Sequence, residues 1–262
     1  MRENHTLMHI RQQKPTFGLW LHSHSVHIAR IIAAQGLFDW LLVDMEHSPL
    51  DLSTASMMLS SIADVSNGAC TPLARVAHGS IDQIKQALDA GAHGVIVPMV
   101  NTAGDAANVV RFARYPPQGE RGAGGLLPHF SFGTTSHIDY LKHANDQILI
   151  AIQIETAQAV KNIDSILDVN GIDLVFIGPF DLHISLGLAP ALWSDSPVFQ
   201  AAIQKVIAAC KQRGIPYGTL APNADSAKAR AENGFTFVGV GTDIGHMVNT
   251  LNAQVGQIRA TP

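Results

Sequence analysis

Short apolar runs alternate with longer segments of helical period along almost the whole chain. The runs at residues 16–21, 40–44, 73–76, 94–98, 148–154, 173–177, 216–220 and 235–240 predict eight strands. Most are continuous rather than alternating: Leu41-Leu42-Val43, Val95-Ile96-Val97 and Leu174-Val175-Phe176-Ile177 contain no polar residue. Parallel strands covered on both faces carry this pattern, whereas a sheet with one wet face alternates. Residues 80–90, 103–113, 157–167, 198–213 and 224–232 place apolar side chains at helical spacing and predict helices between the strands. Gly36, Gly91, Gly171, Gly214 and Gly234 each stand just before a strand. A glycine there supplies the left-handed turn that sends a helix back to the sheet.

Such alternation leaves two architectures, a (β/α)8 barrel or a doubly wound open sheet. Eight strands favour the barrel, and no Gly-x-Gly-x-x-Gly follows the first strand as a dinucleotide-binding sheet requires. The expected fold is α/β, a single (β/α)8 TIM barrel spanning residues 1–262, with 1–14 as a peripheral N-terminal segment. Residues 114–134 break the pattern, being too rich in Gly and Pro for a regular helix. Loops of that length inside a compact domain are usually lids or binding segments. Alternation resumes directly after it, so it does not read as a domain boundary.

Composition agrees with a large packed core: of 262 residues, 47% are hydrophobic and only 15% charged, the reverse of a disordered chain. A formal net charge of −4 and the lack of a basic run give no general attraction to nucleic acid or an anionic membrane. The sequence shows neither an apolar run of membrane-spanning length nor a signal-peptide core at its start. Cys70 and Cys210 match no zinc or redox spacing. A reduced, cytoplasmic protein is expected.

In these barrels the active site lies at the C-terminal ends of the strands. The second predicted strand ends in Asp44-Met45-Glu46-His47 and the third in Arg75. The fifth runs Ile152-Gln153-Ile154-Glu155, and the sixth leads through Gly178-Pro179-Phe180 to Asp181. Glu155 and Asp181, on adjacent strand ends, form a candidate metal pair. Two carboxylates without cysteine or clustered histidine suit a hard ion such as Mg²⁺ or Mn²⁺. Alternatively, each is a helix cap. Arg75 is a permanent cation able to hold a substrate carboxylate bidentately, or else a structural partner of Glu46 or another carboxylate at the mouth. Asp44 and His47 read either as an oriented base or as a turn. Backbone N–H groups at Phe180 and Asp181 add donors if a helix begins there.

His22 and His24 leave the first strand on one side of it. They are compatible with a metal pair, but a pocket rim touching the far end of a substrate is the preferred reading. The remaining histidines form no ligand spacing, although His183 stands only two residues after Asp181. The seven lysines, at 14, 85, 142, 161, 205, 211 and 228, all fall on helical or flanking segments. An imine-forming aldolase needs a lysine projecting from a strand, so the pattern leaves a metal as the electron sink.

Read in order, several segments resemble the HpcH/HpaI family of class II, pyruvate-dependent aldolases. They are Trp40-Leu41-Leu42-Val43-Asp44-Met45-Glu46-His47, Ala74-Arg75-Val76, residues 94–101, Arg114-Tyr115-Pro116-Pro117, Arg121-Gly122, Gln153-Ile154-Glu155 and residues 176–182. The resemblance runs from about Phe17 to Asp243. It implies a (β/α)8 barrel assembled as a homo-oligomer, a trimer or hexamer, acting on a small 2-oxo acid and an aldehyde. It implies a Mg²⁺, Mn²⁺ or Co²⁺ ion on Glu155 and Asp181, Arg75 at the pyruvyl group, and His47 backed by Asp44 as acid/base group. Gln153, Phe180 and Trp20 match positions near the substrate, and Asp89 matches a carboxylate that reaches a neighbouring subunit's site.

Two segments depart from the family pattern. Residues 122–134 replace a basic, aromatic stretch, and His22-Ser23-His24 replaces small residues. Both are expected where the aldehyde half binds. Enolate-forming relatives share the metal pair and the arginine: an oxaloacetate decarboxylase, a macrophomate-synthase-like enzyme or a citrate synthase. Met99, where the macrophomate type carries a histidine, points away from that one. A non-catalytic oxo-acid binding protein is the rival from outside enzymes.

Overall fold

A computed structural model describes residues 1–259. The chain opens with α1 (His5–Arg11), then β1 (Thr16–Leu21), α2 (Val26–Ala34), β2 (Trp40–Asp44), α3 (Leu52–Val65), β3 (Thr71–Arg75), α4 (Ile81–Asp89) and β4 (Gly94–Val97). Helices α5 (Ala103–Ala113), α6 (Leu127–Ser131) and α7 (His137–Gln147) separate β4 from β5 (Leu149–Ile154). Next come α8 (Ala157–Lys161), α9 (Ile163–Leu167), β6 (Leu174–Ile177), α10 (Pro179–Ser185) and α11 (Pro197–Arg213). The chain closes through β7 (Tyr217–Ala221), α12 (Ala224–Glu232), β8 (Phe237–Thr242) and α13 (Asp243–Arg259).

The strands pair in sequence order, all parallel, and β8 returns to β1 to close the barrel. The expected (β/α)8 TIM barrel is the fold observed, with each strand within two residues of its predicted bounds. Alternate strand residues fill two cores. Inside the barrel, Trp40 stacks on Phe237 with centroids 3.9 Å apart, beside Trp20, Leu42, Leu73 and Phe176. Gly18 makes room for this, because a Cβ there would run into the Trp40 indole. The larger outer core lies between strands and helices, where the uninterrupted apolar runs present their other face. The five glycines expected to turn helices back to strands all have positive φ.

Three expectations need correction. Residues 1–14 are not peripheral: α1 plugs the barrel floor, its Leu7 and Ile10 buried within the inner core. Burying each contributes about 1.5–3 kcal/mol. Asn4 caps this helix, accepting the Leu7 N–H at 3.0 Å while donating to the His93 carbonyl at 3.0 Å. Seven residues are too few to show a helical period in the sequence.

Residues 157–167 form two short helices, broken at Asn162, whose side chain donates to the Asn101 carbonyl at 2.9 Å. Finally, residues 114–134 do not cover the mouth of their own barrel. Ser131 Oγ donates to the Gly91 carbonyl at 2.8 Å and lies 2.9 Å from His93 Nε2, which ties the segment to the floor. Buried Arg121 fixes its start, donating to Asp89 at 2.8 Å and lying over the Tyr115 ring. A helix descends from each strand's mouth to the floor, so a segment after α5 starts at the floor. Among the described residues no helix is long and apolar enough to cross a membrane.

Candidate active site

The barrel mouth is built on a single rung. Asp44 pairs in register with Arg75, and the β1–β2 register, last paired at Leu21 and Val43, puts His22 next to Asp44. Residues on one rung of parallel strands point the same way. Asp44 is wholly buried and accepts from Arg75 twice, Nε to Oδ1 at 2.8 Å and Nη2 to Oδ2 at 2.6 Å. His22 Nε2 lies 2.9 Å from the same Oδ2. Burial alone would raise the Asp44 pKa, but His22 and Arg75 outweigh it and hold the carboxyl well below the ordinary range.

This geometry shows which partners Arg75, Asp44 and His47 have in the folded chain. Arg75 is a partner of mouth carboxylates: besides Asp44, its Nε lies 3.1 Å from Glu46 Oε2, and its guanidinium sits 4.3 Å above the Trp20 ring. With Nε and Nη2 engaged, it offers a substrate Nη1 rather than a two-pronged fork. The expected Asp44–His47 side-chain pair is not formed. Asp44 Oδ1 instead accepts the Glu46 N–H at 3.1 Å, which turns the chain outward. The His47 ring is 60% exposed, and its nearest carboxylate is Glu46 at 3.7 Å.

Across the mouth, Glu155 follows β5 and is almost fully buried. Its Oε1 accepts the Met99 N–H at 2.7 Å, and its Oε2 accepts from Gln153 Nε2. Met99 reaches that position with φ at 56°. Burial raises the Glu155 pKa, and nearby Asp181 and Glu46 raise it further against the Met99 and Gln153 hydrogen bonds. Glu46 is likewise raised by burial and by Asp44 and Asp181, with Arg75 opposing. Gly178 leaves the space these groups occupy: a Cβ there would fall 2.6 Å from Glu155 Oε2 and 2.9 Å from Gln153 Nε2. Pro179 starts α10, which puts Phe180 and Asp181 in its exposed first turn.

Glu155 does not act as the cap of α8; Thr156 does, accepting from Ala159 N–H at 3.0 Å. Among the described residues no cluster of three or more His, Cys, Asp or Glu side chains forms a ready-made chelate. The donor set nevertheless fits a hard cation. Three carboxylates repel one another around the mouth, and Gln153 Oε1 is buried with no hydrogen-bond partner among the described residues. Two carboxylates plus open positions is the usual provision for an ion that keeps waters or takes substrate oxygens.

Other candidates settle elsewhere. Trp20 is buried beneath Arg75 and 5.4 Å from Phe176, so it supports the guanidinium from inside the barrel. Asp89 ends α4 at the floor, away from its own mouth. His183 is packing: its ring stacks on Phe199, with Nδ1 2.6 Å from the Pro179 carbonyl and Nε2 2.8 Å from Ser194 Oγ. None of the lysines stands on a barrel strand. The part played by Asp243 and the backbone role of Met99 were missed by the sequence reading. Asp243 accepts the His22 and Ser23 N–H groups at 2.8 and 3.2 Å, fixing the loop that carries His22.

Comparison with known proteins adds the lineage. The 4-hydroxy-2-oxo-heptane-1,7-dioate aldolase of Shigella boydii serotype 18 is 42% identical over 241 residues, covering 92% of this chain and 89% of the relative. A solved HpcH/HpaI aldolase/citrate lyase family protein from Burkholderia cenocepacia superimposes with a TM-score of 0.89 at 32% identity, covering 98% of this chain and all of that one. Macrophomate synthase shares the fold, with a TM-score of 0.85 at 23% identity, covering 98% of this chain and 89% of that one. The profile of one family matches residues 16–250, and with it the chain belongs to the HpcH/HpaI aldolase/citrate lyase family.

Proposed function

We propose that this protein is a metal-dependent aldolase, a carbon–carbon lyase that reversibly cleaves a 4-hydroxy-2-oxo acid to pyruvate and an aldehyde. The observation that carries the reading is the mouth itself: Glu155 and Asp181 stand across from a buried, anchored Arg75. The residues offered to a divalent ion are Glu155 and Asp181, and the ions that suit them are Mg²⁺, Mn²⁺ or Co²⁺. Once bound, such an ion supplies Lewis-acid stabilisation of negative charge on the oxo acid.

The protein's own groups do the rest. Arg75 Nη1 meets the carboxylate or 2-oxo oxygen of the pyruvyl half and offsets its charge, while Asp44, Glu46 and Trp20 hold the guanidinium in place. Gln153 Nε2 orients Glu155 while the buried Gln153 Oε1 keeps no hydrogen-bond partner among the described residues, and Phe180 lines the rim. An imidazole at the mouth accepts the 4-hydroxyl proton as the C3–C4 bond breaks; His22 and His47 are the two that flank it.

The Shigella relative's name supports 4-hydroxy-2-oxo-heptane-1,7-dioate as the substrate. Cleavage between C3 and C4 gives pyruvate and a four-carbon aldehyde acid. A coupled assay for pyruvate release from that substrate, with and without Mg²⁺, tests the reading. Metal-dependent turnover supports it; no release with any of the three ions contradicts it.

We also infer a homo-oligomer, a trimer or hexamer. Ile244, Met247, Val248, Leu251, Val255 and Ile258 stand exposed along α13, a continuous apolar stripe. Stripes of that extent are normally covered by a partner. Asp89 and residues 122–127 share one floor-side patch that a neighbouring copy would meet.

A further inference from the structure

We propose that Asn101 is a positioning residue for Glu155, clamping the exits of β4 and β5 together so that the carboxylate is in place before an ion arrives. The inference rests on the metal role proposed for Glu155 and deepens it by naming what holds that side chain.

A chain of hydrogen bonds carries it. Glu155 Oε1 accepts the Met99 N–H at 2.7 Å, so the Met99 backbone fixes that oxygen. Asn101 Nδ2 donates to the carbonyl of the same Met99 at 2.9 Å. Asn101 Oδ1 accepts the hydroxyl of Thr156, the residue directly after Glu155. One side chain therefore reaches Glu155 from two directions, through the backbone that meets its carboxylate and through its neighbour in sequence. The partners also fix which way the amide points. A carbonyl can only accept, which turns the amide nitrogen toward Met99. Thr156 Oγ1 accepts the Ala159 N–H at 3.0 Å and keeps its own proton for Asn101 Oδ1.

Asn101 is itself anchored. Its N–H donates to Asp105 Oδ2 at 3.1 Å, and its carbonyl accepts from Asn162 Nδ2 at 2.9 Å, at the break between α8 and α9. Every hydrogen-bonding group of the residue is thus engaged in tying three segments around Glu155. Such a hold is needed because Met99 carries a side chain and yet has φ at 56°. Residues stay in that region only where their surroundings fix them. The Met99 side chain is about half exposed, so its packing is a poor anchor. The hydrogen bonds to Glu155 and Asn101 keep the turn instead.

The test is the affinity for Mn²⁺ alone, read by titration calorimetry, with thermal unfolding of each variant followed by circular dichroism. Asn101→Ala should weaken Mn²⁺ binding by roughly 10-fold or more, the usual loss when an orienting partner is removed. Thr102→Ala is the control for simple weakening of the same loop. Thr102 stands next to Asn101 and caps α5, accepting the Asp105 N–H at 3.1 Å. Its replacement should lower Tm and leave the Mn²⁺ affinity as in wild type. Thr156→Val should also bind the ion more weakly, whereas Thr156→Ser keeps the hydroxyl and should bind it as wild type does.

Wild-type affinity in Asn101→Ala overturns the proposal. So does an equal loss in Thr102→Ala, which would make the effect one of loop folding. If Asn101→Ala does not fold, the Thr156 pair decides, and equal affinities in Thr156→Val and Thr156→Ser overturn the proposal. If wild type binds no Mn²⁺, it is the metal reading of Glu155 that fails.

Discussion

Asp44 grips Arg75 through both carboxylate oxygens, at 2.8 and 2.6 Å, in a part of the barrel wall where neither side chain sees much solvent. Removing one member of a buried pair leaves the other charge unpaired, at a cost of about 3–5 kcal/mol. Asp44→Ala should therefore lower stability by that order in urea unfolding, and Asp44→Asn by less, because the amide keeps an acceptor for Arg75. An unchanged unfolding midpoint for Asp44→Ala would show that the pair carries no such weight.

Glu155 lies against Gly178 with no room for another carbon. Gly178→Ala should push the carboxylate aside and weaken Mn²⁺ binding by roughly 10–100-fold, as loss of an orienting partner commonly does. Glu155→Gln should weaken it at least as much. Titration calorimetry with the ion alone reads both, and circular dichroism checks that the barrel remains folded. Wild-type affinity in Glu155→Gln would remove this residue from the metal site.

His93 sits fully buried near the floor, stacked on Phe132, and burial pushes its pKa down to about 3. The unfolded chain takes up that proton near pH 6.5, so the native state lacks a proton the unfolded state binds. Stability is therefore lost as pH falls from about 6.5 toward 3, by about 1.4 kcal/mol per pH unit from this residue. Measured between about pH 4 and 6, His93→Gln should show a slope shallower by one proton. Parallel profiles for variant and wild type would contradict the assignment.

The apolar stripe on α13 should hold subunits together. Replacing both Leu251 and Val255 with Asp puts two charges into it and should shift the protein to smaller species in sedimentation velocity. An undisturbed oligomer would place the interface elsewhere.

Much of the fold is legible in the sequence because burial on both strand faces leaves uninterrupted apolar runs, as in β2, β4 and β6. The floor plug is hidden, since α1 is too short to show a period. Strand-end position does bring Arg75, Glu155 and Asp181 to the barrel mouth, as expected from the sequence. Partnership is another matter. Asp44 and His47 are close in sequence, yet the chain turns outward between them, while His22 reaches Asp44 from the neighbouring strand. The pairing follows from the register of β1 on β2, with Leu21 beside Val43, which the sequence of neither strand contains. Met99 acts through a backbone N–H, and Asp243 through a loop it holds; neither leaves a side-chain signature.

Proton exchange at the methyl group of pyruvate in D2O tests the central claim most directly, because it reports enolate formation without needing the aldehyde. It is followed by ¹H NMR with the purified protein and Mg²⁺, with EDTA and Arg75→Ala as controls. Exchange that requires the metal and is lost in Arg75→Ala is the result expected. Absence of exchange with Mg²⁺, Mn²⁺ or Co²⁺, each removed before recording where paramagnetic, would contradict pyruvate enolate chemistry at this mouth.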